Sequence, residues 1–307
     1  MKALILTDGK AGHENQTKAF VSALGLDADI IKVEFKNSFA KALSYVAGVF
    51  PIGFTRLLYK SLPLGAAKDY KLVAGTGSGV FHAVRSLAKA FGIKSAVVLY
   101  PRGYSLSSFD CILAPGFDNP ADKPNIVRLP ANFVNNDAAF YEKGIESFKL
   151  RHTLSGKRAI AVIIGGPNGA STMTDKWVKK SLDEIFSAHE GSEFWVTTSR
   201  RTPADVEAVV DTFPWDYKLI YSRDKFNPIP AFVMLADKLY VTAESTGMLS
   251  EACSRGTAEV HALDNLKPDR SKFRRFLEQL KAAGYIGGRR KVDFSSSIEK
   301  ARGILQL

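Results

Sequence analysis

Apolar residues along this 307-residue chain come in short runs, and most runs end in a loop that carries glycine. Ala3–Thr7 reads as a strand. Asp8-Gly9-Lys10-Ala11-Gly12 breaks it, and Glu14 to Leu24 resumes with apolar residues at helical spacing. Ile30–Val33 is a second predicted strand. Leu72–Ala74 is a third, followed by Gly75-Thr76-Gly77-Ser78-Gly79 and a helix from Val80 to Phe91. Ala96–Tyr100 and Cys111–Ala114 read as two more strands. Apolar strands alternating with helices through Gly-rich loops predict a parallel, doubly wound sheet.

After a polar, basic stretch at Lys149–Arg158, read as a linker, the pattern restarts. Ala159–Ile164 is a strand, Gly165-Gly166-Pro167-Asn168-Gly169 a loop and Asp175–Ala188 a helix. Phe194–Thr197, Lys218–Tyr221, Leu239–Thr242 and Val260–Leu263 are further strands, with helices at Pro203–Asp211 and Met248 to about Ser254. Ser295–Leu307 reads as a closing amphipathic helix begun by a serine cluster. The prediction is an α/β protein of two Rossmann-like doubly wound domains facing a cleft, 1–152 and 153–307, with the last helix packing back toward the first domain. Ligands then belong at the carboxyl ends of the strands.

One stretch breaks the alternation. Phe39–Leu64 is apolar and aromatic, interrupted by Pro51 and Gly53. It reads either as a helical pair packed on the sheet or as an apolar patch, edged by Lys41, Arg56 and Lys60, that rests on an anionic membrane face. The formal charge of +11 sharpens the second reading, because a basic excess favours acidic partners. No nucleic-acid motif accompanies the dispersed Lys and Arg, so nucleic acid is not an expected partner. Two cysteines without CxxC or Cys/His spacing suit a reducing, cytoplasmic setting and exclude a disulfide framework or zinc site. The first apolar run is too short for a signal peptide and no run reaches a membrane span. The expected location is cytoplasmic or peripheral on the inner membrane face.

The candidate chemistry lies in four strand-to-helix loops: Asp8–Asn15, Gly75–Gly79, Gly165–Ser171 and Glu244–Met248. Glu244-Ser245-Thr246-Gly247 puts hydroxyls and a glycine where a helix begins, and free N–H groups there favour an anion such as a phosphate. Glu251 follows one helical turn later. An ordinary capped helix explains the same residues. Neither 75–79 nor 165–169 ends in the Gly-Lys-Ser/Thr of a Walker loop, and 75–79 lacks the third glycine of a dinucleotide fingerprint. HExxH and GxSxG are absent. Ser199, Arg200 and Arg201 follow a strand and suit a diphosphate grip, with Tyr221 placed against a base. His13 and Asp8 are rival candidates for a general base. Gly12, Glu14, Gly77 and Ser78 surround them in sequence and complete the acceptor side; Gly165, Gly166, Asn168 and Glu244 join the donor side.

With these residues in place the chain resembles GT-B nucleotide-sugar enzymes, in particular the peptidoglycan N-acetylglucosaminyltransferase family. The likeness rests on DGKAGHENQTKAFVSALG, VAGTGSGVFHAVRSLAKAFGIKSAVVLY, IIGGPNGAS and AESTGMLSEACSRGTAEV. It resembles the mitochondrial-fission Elm family and its bacterial relatives more closely still, through DGKAGHENQ, FDCILAPGFDNP, IGGPN, TSRRTP, Asn227-Pro228, VTAESTGMLSEA and KFRRFLEQL. It departs from the usual Elm pattern at Thr76–Gly79 and around Tyr100–Tyr104. The resemblance implies a metal-independent glycosyltransferase with no tightly bound cofactor and a nucleotide-diphosphate sugar as substrate. Ser245 to Met248, Gly166 and Ser199–Arg200 would cradle the diphosphate, Glu251 would hold the ribose, and His13 or Asp8 would deprotonate the acceptor. That acceptor is expected to be lipid-linked or part of a lipopolysaccharide core. A nucleotide-sugar epimerase on the same fold and a non-catalytic interaction protein remain as rivals.

Overall fold

A computed structural model describes the chain except for residues 47–51, 63–68, 135–136 and 270. Two α/β units emerge, one from Met1–Asn136 with Asp293–Leu307, the other from Asp137–Val292.

The first unit runs β1 (Lys2–Thr7), α1 (Ala11–Ala23), β2 (Asp27–Lys32), α2 (Ser38–Val46), α3 (Ile52–Leu58), β3 (Tyr70–Thr76), α4 (Phe81–Phe91), β4 (Lys94–Val98), β5 (Cys111–Pro115) and β6 (Ile126–Leu129). The strands form one parallel sheet in the order β2-β1-β3-β4-β5-β6. The unbroken apolar runs are explained by burial of both faces. Leu4 and Leu6 face the layer of α4, with Val73 and Val84, while Ala3 and Ile5 face the layer of α1, with Leu72 and Phe20.

The second unit runs α5 (Ala138–Lys149), β7 (Ala159–Ile163), α6 (Asp175–Ala188), β8 (Glu193–Thr197), α7 (Ala204–Asp211), β9 (Tyr217–Leu219), α8 (Ile229–Leu235), β10 (Lys238–Thr242), α9 (Thr246–Ser254), β11 (Glu259–Leu263) and α10 (Lys272–Ala282). Its parallel sheet has the order β11-β10-β7-β8-β9. A last helix, α11 (Ser295–Leu305), returns to the first unit, where Ala301 and Leu305 join the layer of Phe20.

The boundary differs from the sequence reading. It falls after Asn136, not at 152, because α5 packs with the second unit. Phe148 inserts among Trp195, Tyr217 and Phe232, at centroid distances of 5.1, 4.7 and 5.7 Å. Gly144 lets α5 approach α8, since a Cβ there would lie 2.6 Å from Cβ of Pro230. That same glycine weakens the helical signal in the sequence.

The expected linker is fastened too. His152, Ser155 and Trp195 all donate to the carboxylate of Glu193, which is 1% exposed. Burial pushes the Glu193 pKa up, but the bonds from Ser155, His152 and Trp195 outweigh it and hold the group at about 2. A carboxyl so depressed stabilises the fold above its unfolded pKa, near 4.5, and that contribution disappears as pH falls toward 2. Glu193→Gln is therefore expected to lose about 3 kcal/mol at pH 7. In chemical denaturation the gap from wild type should begin to narrow below about pH 4.5 and close only near pH 2.

Phe39–Leu64 contributes α2 and α3; residues 47–51 and 63–64 of it lie outside the described residues. Ala40, Ser44, Thr55, Leu58 and Tyr59 are buried, whereas Phe39 is 76% and Leu57 63% exposed. Among the described residues, no helix is long and apolar enough to cross a membrane.

Candidate functional site

Each sheet has one place where neighbouring strands send their chains to opposite sides, and such a point opens a crevice at the strands' carboxyl ends. In the first unit it lies between β1 and β3; in the second, between β7 and β10. The loops Asp8–Asn15 and Gly75–Gly79 flank the first point, and Gly165–Ser171 and Glu244–Met248 flank the second. All four candidate loops thus fall at the switch points.

In the first unit the loops interlock around a dyad. Both carboxylate oxygens of Asp8 lie 3.1 Å from Nδ1 of His13. Lys10 Nζ is 3.1 Å from Asp8 Oδ2. Burial works to raise the Asp8 pKa, but Lys10 and His13 prevail and hold it below the usual value. An ionised carboxylate only accepts, so Nδ1 of His13 carries the hydrogen and Nε2 of a neutral ring keeps its lone pair. A Cβ on Gly77, which has φ +87°, would come within 2.5 Å of the His13 ring, and one on Gly79 within 2.7 Å of Asp8 Cβ. The glycines leave room for the dyad. Thr17 on α1 and Thr76 on β3 share a buried hydrogen bond of 2.6 Å that sets the two loops together.

The two candidate bases differ in their surroundings. Asp8 is engaged by Lys10 and by Nδ1–H of His13, whereas Nε2 of His13 has no hydrogen-bond partner among the described residues. Glu14 pairs with Lys18 at 2.6 Å, so its carboxylate is engaged along α1. A Cβ on Gly12 would meet nothing within 4 Å. Ser78 is half-buried between the two dyad glycines.

In the second unit Glu244 holds the loops. It is 2% exposed. Its Oε1 accepts from Gly166 N–H at 2.8 Å and from Thr242 at 3.1 Å, and its Oε2 from Asn265 at 2.7 Å. Thr242 in turn accepts from Gly165 N–H at 2.8 Å. A Cβ on Gly165 would collide with this carboxylate, and one on Gly166 with the backbone of Arg201. Glu244 therefore does not face the crevice as a donor-binding group. Asn168 is also turned inward, accepting from Ala170 N–H at 2.9 Å and donating to the Glu244 carbonyl at 3.4 Å. Ser199 closes its own loop by accepting from Arg201 N–H at 3.2 Å.

What remains open is the start of α9. Leu249 N–H makes the first backbone bond, to Ser245 O at 3.0 Å. The N–H groups of Thr246, Gly247 and Met248 precede it and have no helical acceptor. A Cβ on Gly247 would find nothing within 4 Å, which leaves the approach clear. Beside Met248 is a cavity of about 280 Å³ lined by Thr197, Thr198, Ser199, Arg200, Arg201, Tyr221, Lys225, Phe226, Asn227, Pro228 and Ile229. Among the described residues, neither Arg200 nor Arg201 has a carboxylate partner. The cavity floor rests on Glu207, which accepts from Thr198 at 2.9 Å and from the Ser222 hydroxyl at 2.5 Å. Thr198 accepts from Tyr221 N–H at 2.8 Å, which fixes the backbone beneath the Tyr221 ring.

Glu251 lies three residues beyond Met248, on the same helical face. Its carboxylate accepts from the Tyr141 hydroxyl at 3.1 Å. Burial raises the Glu251 pKa, against the lowering influence of Tyr141 and Arg255. Sequence reasoning missed Tyr141, Glu207 and Asn265, since each meets its partner only through tertiary packing. Among the described residues, no three His, Cys, Asp or Glu side chains gather where they could hold a metal.

Solved structures of similar fold include UDP-GlcNAc 2-epimerase from Methanocaldococcus jannaschii, with a TM-score of 0.61 and 12% identity over all of both chains. They also include UDP-GlcNAc 2-epimerase from Neisseria meningitidis bound to UDP-GlcNAc, with a TM-score of 0.55 and 12% identity, again over all of both chains. At that identity the likeness shows the fold, two Rossmann-like α/β units of the GT-B type. No curated protein matches the chain. The model of the family described as Mitochondrial fission ELM1 matches residues 11–297, and the chain belongs to that family.

Proposed function

We propose that the chain is a glycosyltransferase that moves a sugar from a nucleoside-diphosphate donor to a hydroxyl of a membrane-associated or lipopolysaccharide-core acceptor. The observation that carries this reading is the open start of α9 beside a cavity that holds Tyr221, Phe226 and two guanidinium groups with no carboxylate partner among the described residues. Three free N–H groups and the helix dipole suit a diphosphate, Arg200 and Arg201 add charge, and Tyr221 offers a ring for a base. Glu251 suits the ribose. The relatives in the fold support a nucleotide sugar as ligand, since one is bound to UDP-GlcNAc.

In the reaction the bond between the anomeric carbon and the donor phosphate oxygen breaks as the acceptor oxygen bonds to that carbon. The acceptor proton passes to Nε2 of His13. The departing diphosphate keeps the electron pair, and its charge is met by the α9 amides and the arginines. This assignment uses side chains and backbone dipoles for the leaving group and needs no bound metal. The exposed Phe39 and Leu57 and the net charge of +11 support an acceptor at an anionic cytoplasmic membrane face.

A thermal-shift screen against UDP-, GDP-, ADP- and CMP-sugars tests the donor site, because a ligand of the folded state raises apparent stability. Glu251→Ala is expected to weaken binding of the selected nucleotide by about tenfold or more, the worth of one good polar contact to a desolvated carboxylate. Undiminished affinity would remove Glu251 from the ribose. Incubation with nucleotide sugar alone separates the rivals. Nucleotide released only with acceptor supports transfer, an isomerised sugar supports the epimerase, and a folded protein that binds none of these sugars supports an interaction role.

A further inference from the structure

We propose that a second cavity, at the carboxyl ends of β1 and β2, binds a phosphate group carried by the acceptor. This rests on the transferase reading of His13. The cavity measures about 370 Å³ and is lined by Asp8, Lys10, Phe35, Lys36, Lys41 and Gly79 together with the turn that starts α2.

Three independent features converge on an anion there. The first is uncompensated charge. Lys36 and Lys41 have no carboxylate within salt-bridge distance among the described residues. The two carboxylates that line the cavity are already engaged: Glu34 pairs with Lys60 at 2.7 Å, and Asp8 with Lys10 and His13. The second is the start of α2. Asn37 accepts from Ala40 N–H at 2.8 Å and its carbonyl accepts from Lys41 N–H at 3.2 Å. The N–H groups of Ser38 and Phe39 are left at the helix start, and Ser38 lines the cavity. The third is position. Asp8 both lines the cavity and bonds Nδ1 of His13, which sets the cavity one residue away from the proposed base and suits an anion carried by the acceptor.

The donor set selects phosphate over carboxylate. Among the described residues, no arginine, whose planar fork suits a carboxylate, lines the cavity. Several lysines act as point charges, and amides at a helix start add directed bonds; together they suit a tetrahedral group with three acceptor oxygens. The phosphate could be carried by a lipid headgroup or by a soluble phosphorylated sugar, and the chemistry at the cavity is the same.

The full chain is saturated with UDP, to occupy the second unit, and titrated with inorganic phosphate, with glucose 6-phosphate, and with phosphatidylcholine vesicles with or without phosphatidylglycerol. The double variant Lys36→Gln/Lys41→Gln should bind the phosphate-bearing probe at least about tenfold more weakly, with UDP affinity unchanged, and Lys36→Arg/Lys41→Arg should recover most of the loss. Loss confined to phosphatidylglycerol vesicles identifies a lipid source, and loss for glucose 6-phosphate a soluble one; either supports the site. Equal affinity in wild type and the glutamine variant, or no binding of any phosphate probe by wild type, overturns it. The same titrations are run without UDP. Lysine-dependent phosphate binding by a chain that binds no nucleotide would overturn the transferase reading and keep the anion site. Nucleotide binding without lysine-dependent phosphate binding would do the reverse.

Discussion

His13→Ala is expected to lower the rate of sugar transfer by about 10²–10⁴-fold, the range for loss of a positioned general base. Nucleotide affinity should stay at the wild-type value, because the residues assigned to the nucleotide are in the other unit. The measurement is nucleoside-diphosphate release from the donor selected by thermal shift, with a phosphorylated acceptor or acceptor-bearing membrane extract present. Asp8→Asn separates orientation from proton transfer. Asp8 is held ionised below its usual pKa by Lys10 and His13, which prevail over burial, so in the wild type it fixes the ring through Nδ1–H. An asparagine can present either an oxygen or an NH₂ group to that nitrogen, so the ring loses its enforced tautomer. The expected loss is smaller than for His13→Ala. If His13→Ala transferred sugar at the wild-type rate, the dyad would be structural. If Asp8→Asn lost more than His13→Ala, Asp8 would be the base.

The four loops were legible in the sequence because their causes are local. An apolar run, a glycine and a helical period occur within a few residues, and the chain order of the strands then places the loops at switch points. The strands of the first sheet were mostly legible for the same reason, though β6 was missed. It has only four residues, with exposed Arg128 inside it, so it lacks an unbroken apolar run. Side-chain direction was not legible. Glu244 was read as facing the donor beside Ser245, yet it turns inward to Gly166, 78 residues earlier in the chain, and to Asn265, 21 residues later. Glu251 stands 110 residues from Tyr141. No local pattern encodes such partners. The domain boundary was misplaced for a related reason. The polar stretch after Lys149 looks like a linker, but His152 and Ser155 fasten it to Glu193, a partner that exists only once β8 is in place.

Gly165→Ala is expected to destabilise the second unit strongly. The new Cβ meets the Glu244 carboxylate, a group held by three donors and almost wholly buried. If the carboxylate yields, the Gly166 amide and the Asn265 side chain lose a charged acceptor inside the protein, at about 1–3 kcal/mol each. If it holds, the end of β7 shifts and with it the loop facing α9. Either route costs about 3 kcal/mol or more, and nucleotide binding falls with it. Glu244→Ala alone costs a similar amount, because it strands the same donors without any collision. The two changes share one cause, so the double variant Gly165→Ala/Glu244→Ala should be clearly more stable than the sum of the singles. Thermal unfolding of the four proteins reads the coupling directly. Simple additivity would mean that Gly165 is small for the sake of a ligand, not to make room for Glu244. A stable Gly165→Ala that had lost nucleotide affinity would point the same way, and would put the donor diphosphate against this glycine as well as against the start of α9.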